Sequence, residues 1–93
     1  MIVGICTIEL YIPHSRSLKG KRQVLKSMKD KIKNRFNVAV AEVGDQDLWQ
    51  KAVLGITTVA NDKRFVNEVL DKVVDTISSH PQTEVIHYQI EFV

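Results

Sequence analysis

The chain has a single cysteine, Cys6, so no internal disulfide and no multi-cysteine metal site can form. A reduced, cytoplasmic setting is the simplest reading. Its four glycines (Gly4, Gly20, Gly44 and Gly55) are scattered and make no phosphate-cradling loop. No apolar run approaches the roughly 20 residues of a membrane span. The opening Met1-Ile2-Val3-Gly4-Ile5-Cys6 has neither the basic leader nor the cleavage site of a secretory signal. Aromatic residues are limited to Tyr11, Phe36, Trp49, Phe65, Tyr88 and Phe92, too few for a function built on a broad stacking platform. His14, His80 and His87 fall in a loop, at a helix end and on a strand, with no ligand spacing between any two. His14 and Ser15 are adjacent, which is not the geometry of a base and its nucleophile, and no orienting acid accompanies them. The chain is therefore expected to be non-enzymatic, with no cofactor and no metal.

What the chain does have is an uneven distribution of charge. Lys19, Arg22, Lys26, Lys29 and Lys33 recur at alternating steps of three and four. On an α-helix such residues are surface neighbours, so all five fall on one stripe about 21 Å long. From Leu18 to Phe36 there are eight Lys or Arg and one acid, Asp30, a local charge of +7 in a chain whose total is +2. A stripe with so few acids suits a polyanion such as a nucleic-acid backbone, with Arg16 and Lys21 in support near the helix start. The plainer possibility is a solvated flank whose lysine stems shield the core while their heads stay wet.

The 93 residues make one domain. Its apolar content of 44% and charged content of 26% are ordinary for a soluble globular protein. A first strand alternates through Ile2, Gly4, Cys6, Ile8, Leu10 and Ile12 and is stopped by Pro13. Ser15 or Ser17 then caps a helix whose seam is Leu18, Leu25, Met28, Ile32 and Phe36, with Val24 at its edge. A second strand reads from Asn37 to Val43, Gly44-Asp45-Gln46-Asp47 is a turn, and a third strand runs from about Gln50 to Ala60. Asn61 or Asp62 caps a second helix with a wide seam (Phe65, Val66, Val69, Leu70, Val73, Val74, Ile77) and an opposite acidic row, Glu68, Asp71 and Asp75. Ser78-Ser79-His80-Pro81 ends it. In the last strand Ile86, Tyr88, Ile90 and Phe92 are expected inward, and Val85, His87, Gln89, Glu91 and Val93 outward. The order βαββαβ with right-handed crossovers predicts a ferredoxin-like α+β sandwich, a four-stranded antiparallel sheet with two helices on one face.

The other face of that sheet would expose Val3, Ile5, Tyr11, Val53, Val59, Val85 and Val93 beside Thr7, Glu9, Thr57, His87, Gln89 and Glu91. An apolar area of this kind rarely stays bare. It predicts a homodimer through Val3, Ile5, Tyr11, Val53, Val59, Val85 and His87. The RNA-recognition motif shares this topology but stacks bases on aromatics of its central strands, and that pattern is absent here. Trp49, at the base of the central hairpin, is read as packing on the open end of the core or at the dimer contact, with anchoring of a partner as the alternative.

The residues also resemble a known family. Tyr11-Ile12-Pro13, Ser17-Leu18-Lys19-Gly20-Lys21-Arg22, Arg35-Phe36-Asn37-Val38-Ala39-Val40-Ala41-Glu42-Val43 and Asp45-Gln46-Asp47-Leu48-Trp49-Gln50-Lys51-Ala52-Val53-Leu54-Gly55 are similar to the YlxP-like family of small bacterial proteins of unknown function. The resemblance implies a ferredoxin-like fold and a bacterial cytoplasmic setting, commonly beside genes for translation initiation and ribosome maturation, and supplies no activity, cofactor or catalytic residue. Gly20 stands where the family often has Glu, which removes a capping box with Ser17, so the first helix is expected to start late or fray. Two functions follow as expectations. The leading one is a ribosome- or RNA-associated accessory factor that contacts phosphates through the stripe. The alternative is a dimeric protein-interaction or small-ligand regulatory module that uses the open sheet face.

Overall fold

A computed structural model describes all 93 residues, Met1–Val93. The alternating strand β1 (Ile2–Tyr11) is followed by α1 (Leu18–Arg35), β2 (Ala39–Gly44), β3 (Lys51–Ala60), α2 (Lys63–Ser78) and β4 (Glu84–Phe92). The sheet order is β2-β3-β1-β4, with every neighbouring pair antiparallel. This is the ferredoxin-like arrangement the sequence predicts, with β1 and β3 central and β2 and β4 at the edges. Neither helix is long and apolar enough to cross a membrane.

The register sets Cys6 opposite Ile56, Ile8 opposite Leu54 and Leu10 opposite Ala52. Residues directly opposite share a face, and this face meets Leu25, Met28 and Ile32 of α1 and Val66, Leu70, Val73, Val74 and Ile77 of α2 in one buried core. Cys6 lies within it. Burial, and then the nearby Asp71 carboxylate, pushes its thiol up to about 11, so it is no nucleophile near neutral pH.

α1 begins at Leu18 despite Gly20, which corrects the expected late start. The Ser17 hydroxyl accepts a hydrogen bond from the Gly20 N–H at 2.9 Å, so half of the missing capping box suffices. Asp62 caps α2 in the same way, its carboxylate accepting from Arg64 N–H at 3.0 Å.

β4 departs from the expected alternation. Its register on β1 shifts by one residue, pairing Glu9 with His87 but Leu10 with Val85. Ile86 is the extra residue and is 53% exposed, while Val85 packs against the core. Val85 is therefore not on the open face and leaves the expected dimer set. A bulge reverses side-chain parity for everything upstream of it.

α2 lies directly against β1 at Gly4. A Cβ built there would strike Val66 Cγ1 and come within 2.8 Å of Leu70 Cδ1. Both are branched side chains inside the core, with little room to retreat. Gly4→Ala is expected to lower stability by about 1–3 kcal/mol through overpacking, read as a reduced urea midpoint at unchanged slope. An unchanged midpoint would show that α2 can lift without loss.

Candidate nucleic-acid interface

The seam of α1 explains which of its cations face water. Leu18, Lys21, Leu25, Met28 and Ile32 are spaced by three and four, so Lys21 occupies a core position between Leu18 and Leu25. It is 1% exposed. Its ammonium donates to the backbone carbonyl of Asp45 at 2.6 Å and sits 2.9 Å from Glu42 Oε2. That carboxylate oxygen accepts no hydrogen bond of its own, so the contact is Coulombic. Asp45 turns the chain with a positive φ of 57°, aiming its carbonyl at the amine. Lys21 thus ties α1 to the loop between β2 and β3. It cannot also meet a phosphate, which corrects its expected supporting role.

The five stripe residues lie elsewhere on the helix. Lys19, Arg22, Lys26 and Lys33 are exposed and Lys29 is half-buried along its stem. Lys26 pairs with Asp30 one turn on, at 2.9 Å, with both side chains well exposed. That pair and Lys21–Glu42 are the only two salt bridges in the chain. Lys19, Arg22, Lys29 and Lys33 therefore have no acid within ion-pair distance.

The helix turns about 100° per residue, which gives the seam two flanks. On one flank Gly20, Gln23, Val24 and Ser27 share a polar hollow of about 460 Å³ with Gln82 of the loop between α2 and β4. On the same flank Lys31 adds to the effect of burial in holding the His80 imidazole below its usual value. The stripe occupies the opposite flank, beside the edge strand β2, on which α1 packs. The acidic row of α2 therefore lies across the molecule from the stripe and does not neutralise it at contact range.

Arg16 is exposed and stands just before the Ser17 cap. It lines the polar hollow with His14, Ser15 and Ser17, and a second hollow with Pro13, Trp49 and Gln50. Trp49 is 54% exposed, so it does not cap the core; Leu48 beside it is also exposed. Residues 45–50 make a loop with no periodicity, so the sequence held no signal for the direction of this ring.

The other residues of the expected dimer set lie on the side of the sheet away from the helices. Val3, Ile5, Tyr11 and Val53 are half-buried, and Val59 and His87 are exposed. The face is divided. Toward β4 it is polar, with Glu91 opposite Ile5, Gln89 opposite Thr7 and His87 opposite Glu9. Toward β2 it forms a shallow apolar trough of about 400 Å³ along Val3, Ile5, Ala41 and Gly55. Val43, the extra residue of a second bulge, leans over Gly55, where a Cβ would come within 3.1 Å of it.

A family model described as "Protein of unknown function (DUF503)" matches residues 3–90. The "Uncharacterized protein YlxP" of Bacillus subtilis (strain 168) is similar, at 36% identity over 83 residues, covering 89% of this chain and 90% of its own. Among solved structures, the de novo designed protein Foldit4 is similar with a TM-score of 0.55 and 11% identity, over 100% of this chain and 97% of its own. At that identity the likeness speaks to the fold alone.

Proposed function

The chain belongs to the DUF503 family of proteins of unknown function, and for this member we propose a non-enzymatic role as a ribosome- or RNA-associated accessory factor, held to the phosphate backbone by one flank of α1. The observation that carries the reading is the row Lys19, Arg22, Lys26, Lys29 and Lys33, solvent-facing, on the flank away from α2, with one exposed internal ion pair among the five. Arg16, exposed just before α1, adds a cation at that end of the molecule, although it lines the hollow on the other flank rather than continuing the row. Lysine ammonium groups act on phosphate as point charges and Arg22 can bind bidentately. Such contacts position a protein without reading sequence. The test is sedimentation of tagged protein in bacterial lysate at low and high salt. Migration with ribosomal particles at low salt and release at high salt is expected, and protein staying at the top of the gradient at both would overturn the reading.

A second reading is favoured by one feature, the apolar trough on the open sheet face with Val43 and Val59 exposed on that side. A second copy of the chain could cover it in a two-fold dimer. Sedimentation equilibrium is then expected to give twice the 10.6 kDa chain mass, falling to the single mass in a Val43→Asp, Val59→Asp variant. A parent that remains at 10.6 kDa removes this reading.

A further inference from the structure

The phosphate row does not account for Trp49. An exposed indole beside half-buried Tyr11 and exposed Leu48 is a costly surface to leave to water. The ring forms a ridge between two hollows of about 450 and 460 Å³. Lys51 stands on the rim of the first and Arg16 on the rim of the second, and neither lining contains a carboxylate. Asp47, the nearest acid in sequence, is exposed in the loop and lines neither hollow.

The base of this ridge is fixed in place. The Gln50 side-chain amide donates to the carbonyls of Pro13 and Ser15 at 3.2 and 3.3 Å. The Gln50 backbone carbonyl accepts from Ile12 N–H at 2.8 Å. The far end of the same loop is held under α1 by Lys21 through the Asp45 carbonyl. Trp49 is thereby anchored at the end of the molecule where the basic flank begins.

We infer that Trp49 stacks an unpaired base of single-stranded RNA whose phosphates run past Arg16 and Lys51. The inference rests on the phosphate-row reading and names its substrate class. An indole between two cations, with no acid among the residues lining either hollow, complements a nucleotide's flat face and its flanking negative charges. A duplex offers cations the same phosphates but keeps its bases stacked inward, out of reach of the ring. The row alone would therefore treat single and double strands alike, and Trp49 supplies the difference.

Trp49 is the only tryptophan, so intrinsic fluorescence reports on this ring and no other. The full chain would be titrated at low salt with a twelve-nucleotide uridine oligomer and with a twelve-base-pair RNA duplex. Both are expected to bind, and only the oligomer is expected to quench the fluorescence. Because the ring is exposed, Trp49→Ala is expected to fold. In anisotropy with labelled RNA it should bind the oligomer about 5- to 150-fold more weakly and the duplex as the parent does. Trp49→Phe should keep most of the affinity. If the parent binds both RNAs and Trp49→Ala binds the oligomer equally well, the stacking inference falls while the phosphate row stands, and the ring becomes a protein contact. If the parent binds neither RNA, both fall.

Discussion

Reversing Arg22, Lys26 and Lys29 to glutamate is expected to weaken RNA binding by about 100-fold or more at 0.1 M salt. Each phosphate neutralised on a single strand releases about 0.7 of a counterion, a factor of about five at that salt, and three such contacts multiply to about 100-fold. Repulsion from the new carboxylates adds to this. The fold should survive. Arg22 and Lys26 are exposed, and the Lys26–Asp30 pair is a surface pair of small worth. A glutamate at 26 would face Asp30 and the new glutamates at 22 and 29, three like-charge pairs of about 0.2–0.5 kcal/mol each, which a domain of ordinary stability can bear. Lys29 gives up some stem packing. A folded triple variant, by circular dichroism, that binds labelled RNA as the parent does would remove the basic flank from the mechanism.

The largest stability effect is expected at Lys21. Lys21→Met keeps the volume of the stem but strips the ammonium from a site that is 1% exposed, leaving Glu42 and the Asp45 carbonyl without their cation. Breaking a buried pair on one side costs about 3–5 kcal/mol. Glu42 keeps 19% exposure and can recover some water, which favours the lower figure. That is a large part of the 5–15 kcal/mol typical of a domain. In a chain this short it should lower Tm by more than 10 °C, at about 4–8 °C per kcal/mol. Combining Lys21→Met with Glu42→Leu removes both charges, and most of the loss is expected to return. A phosphate ligand would behave in the opposite way, with Lys21→Met unfolding at the parent's temperature but binding RNA poorly. Thermal unfolding and RNA titration on the same samples separate the two roles.

The contrast between Lys21 and its neighbours shows where reading a sequence succeeds here. The layers could be read because they rest on parity. Cys6, Ile8 and Leu10 alternate against Ile56, Leu54 and Ala52, Pro13 ends the run, and the seam of α2 holds at Val66, Leu70, Val73, Val74 and Ile77, while Phe65, expected with them in the first turn, is exposed. For Lys21, residue type points to the stripe and position points to the seam, and position prevails. It lies four before Leu25 and seven before Met28, which is the spacing of the seam rather than of the stripe. A second signal was present as well. Glu42 follows Val38 and Val40 on the inward parity of β2, and an inward carboxylate needs a cation that only α1 could supply. Val85 could not have been placed this way. Val85 and Ile86 are both apolar, so either parity fits, and the bulge that decides between them belongs to the pairing of β4 with β1 rather than to β4 itself. Trp49 lies in a loop without a period, where exposure follows only from tertiary anchoring through Gln50 and Lys21.

The charge asymmetry between α1 and the rest of the chain was plain in composition, but its meaning depended on which flank faced α2. The polar hollow shared with Gln82 and the effect of Lys31 on His80 settle the side, leaving the stripe over edge strand β2.

The most direct measurement is the affinity for an unstructured RNA oligomer across a fourfold range of salt. If five phosphates are neutralised along α1, the logarithm of the binding constant should fall with that of salt at a slope of about −3.5, close to 130-fold over the range. Binding that changes by less than about threefold over the same range would mean fewer than two such contacts and would contradict a phosphate-binding flank.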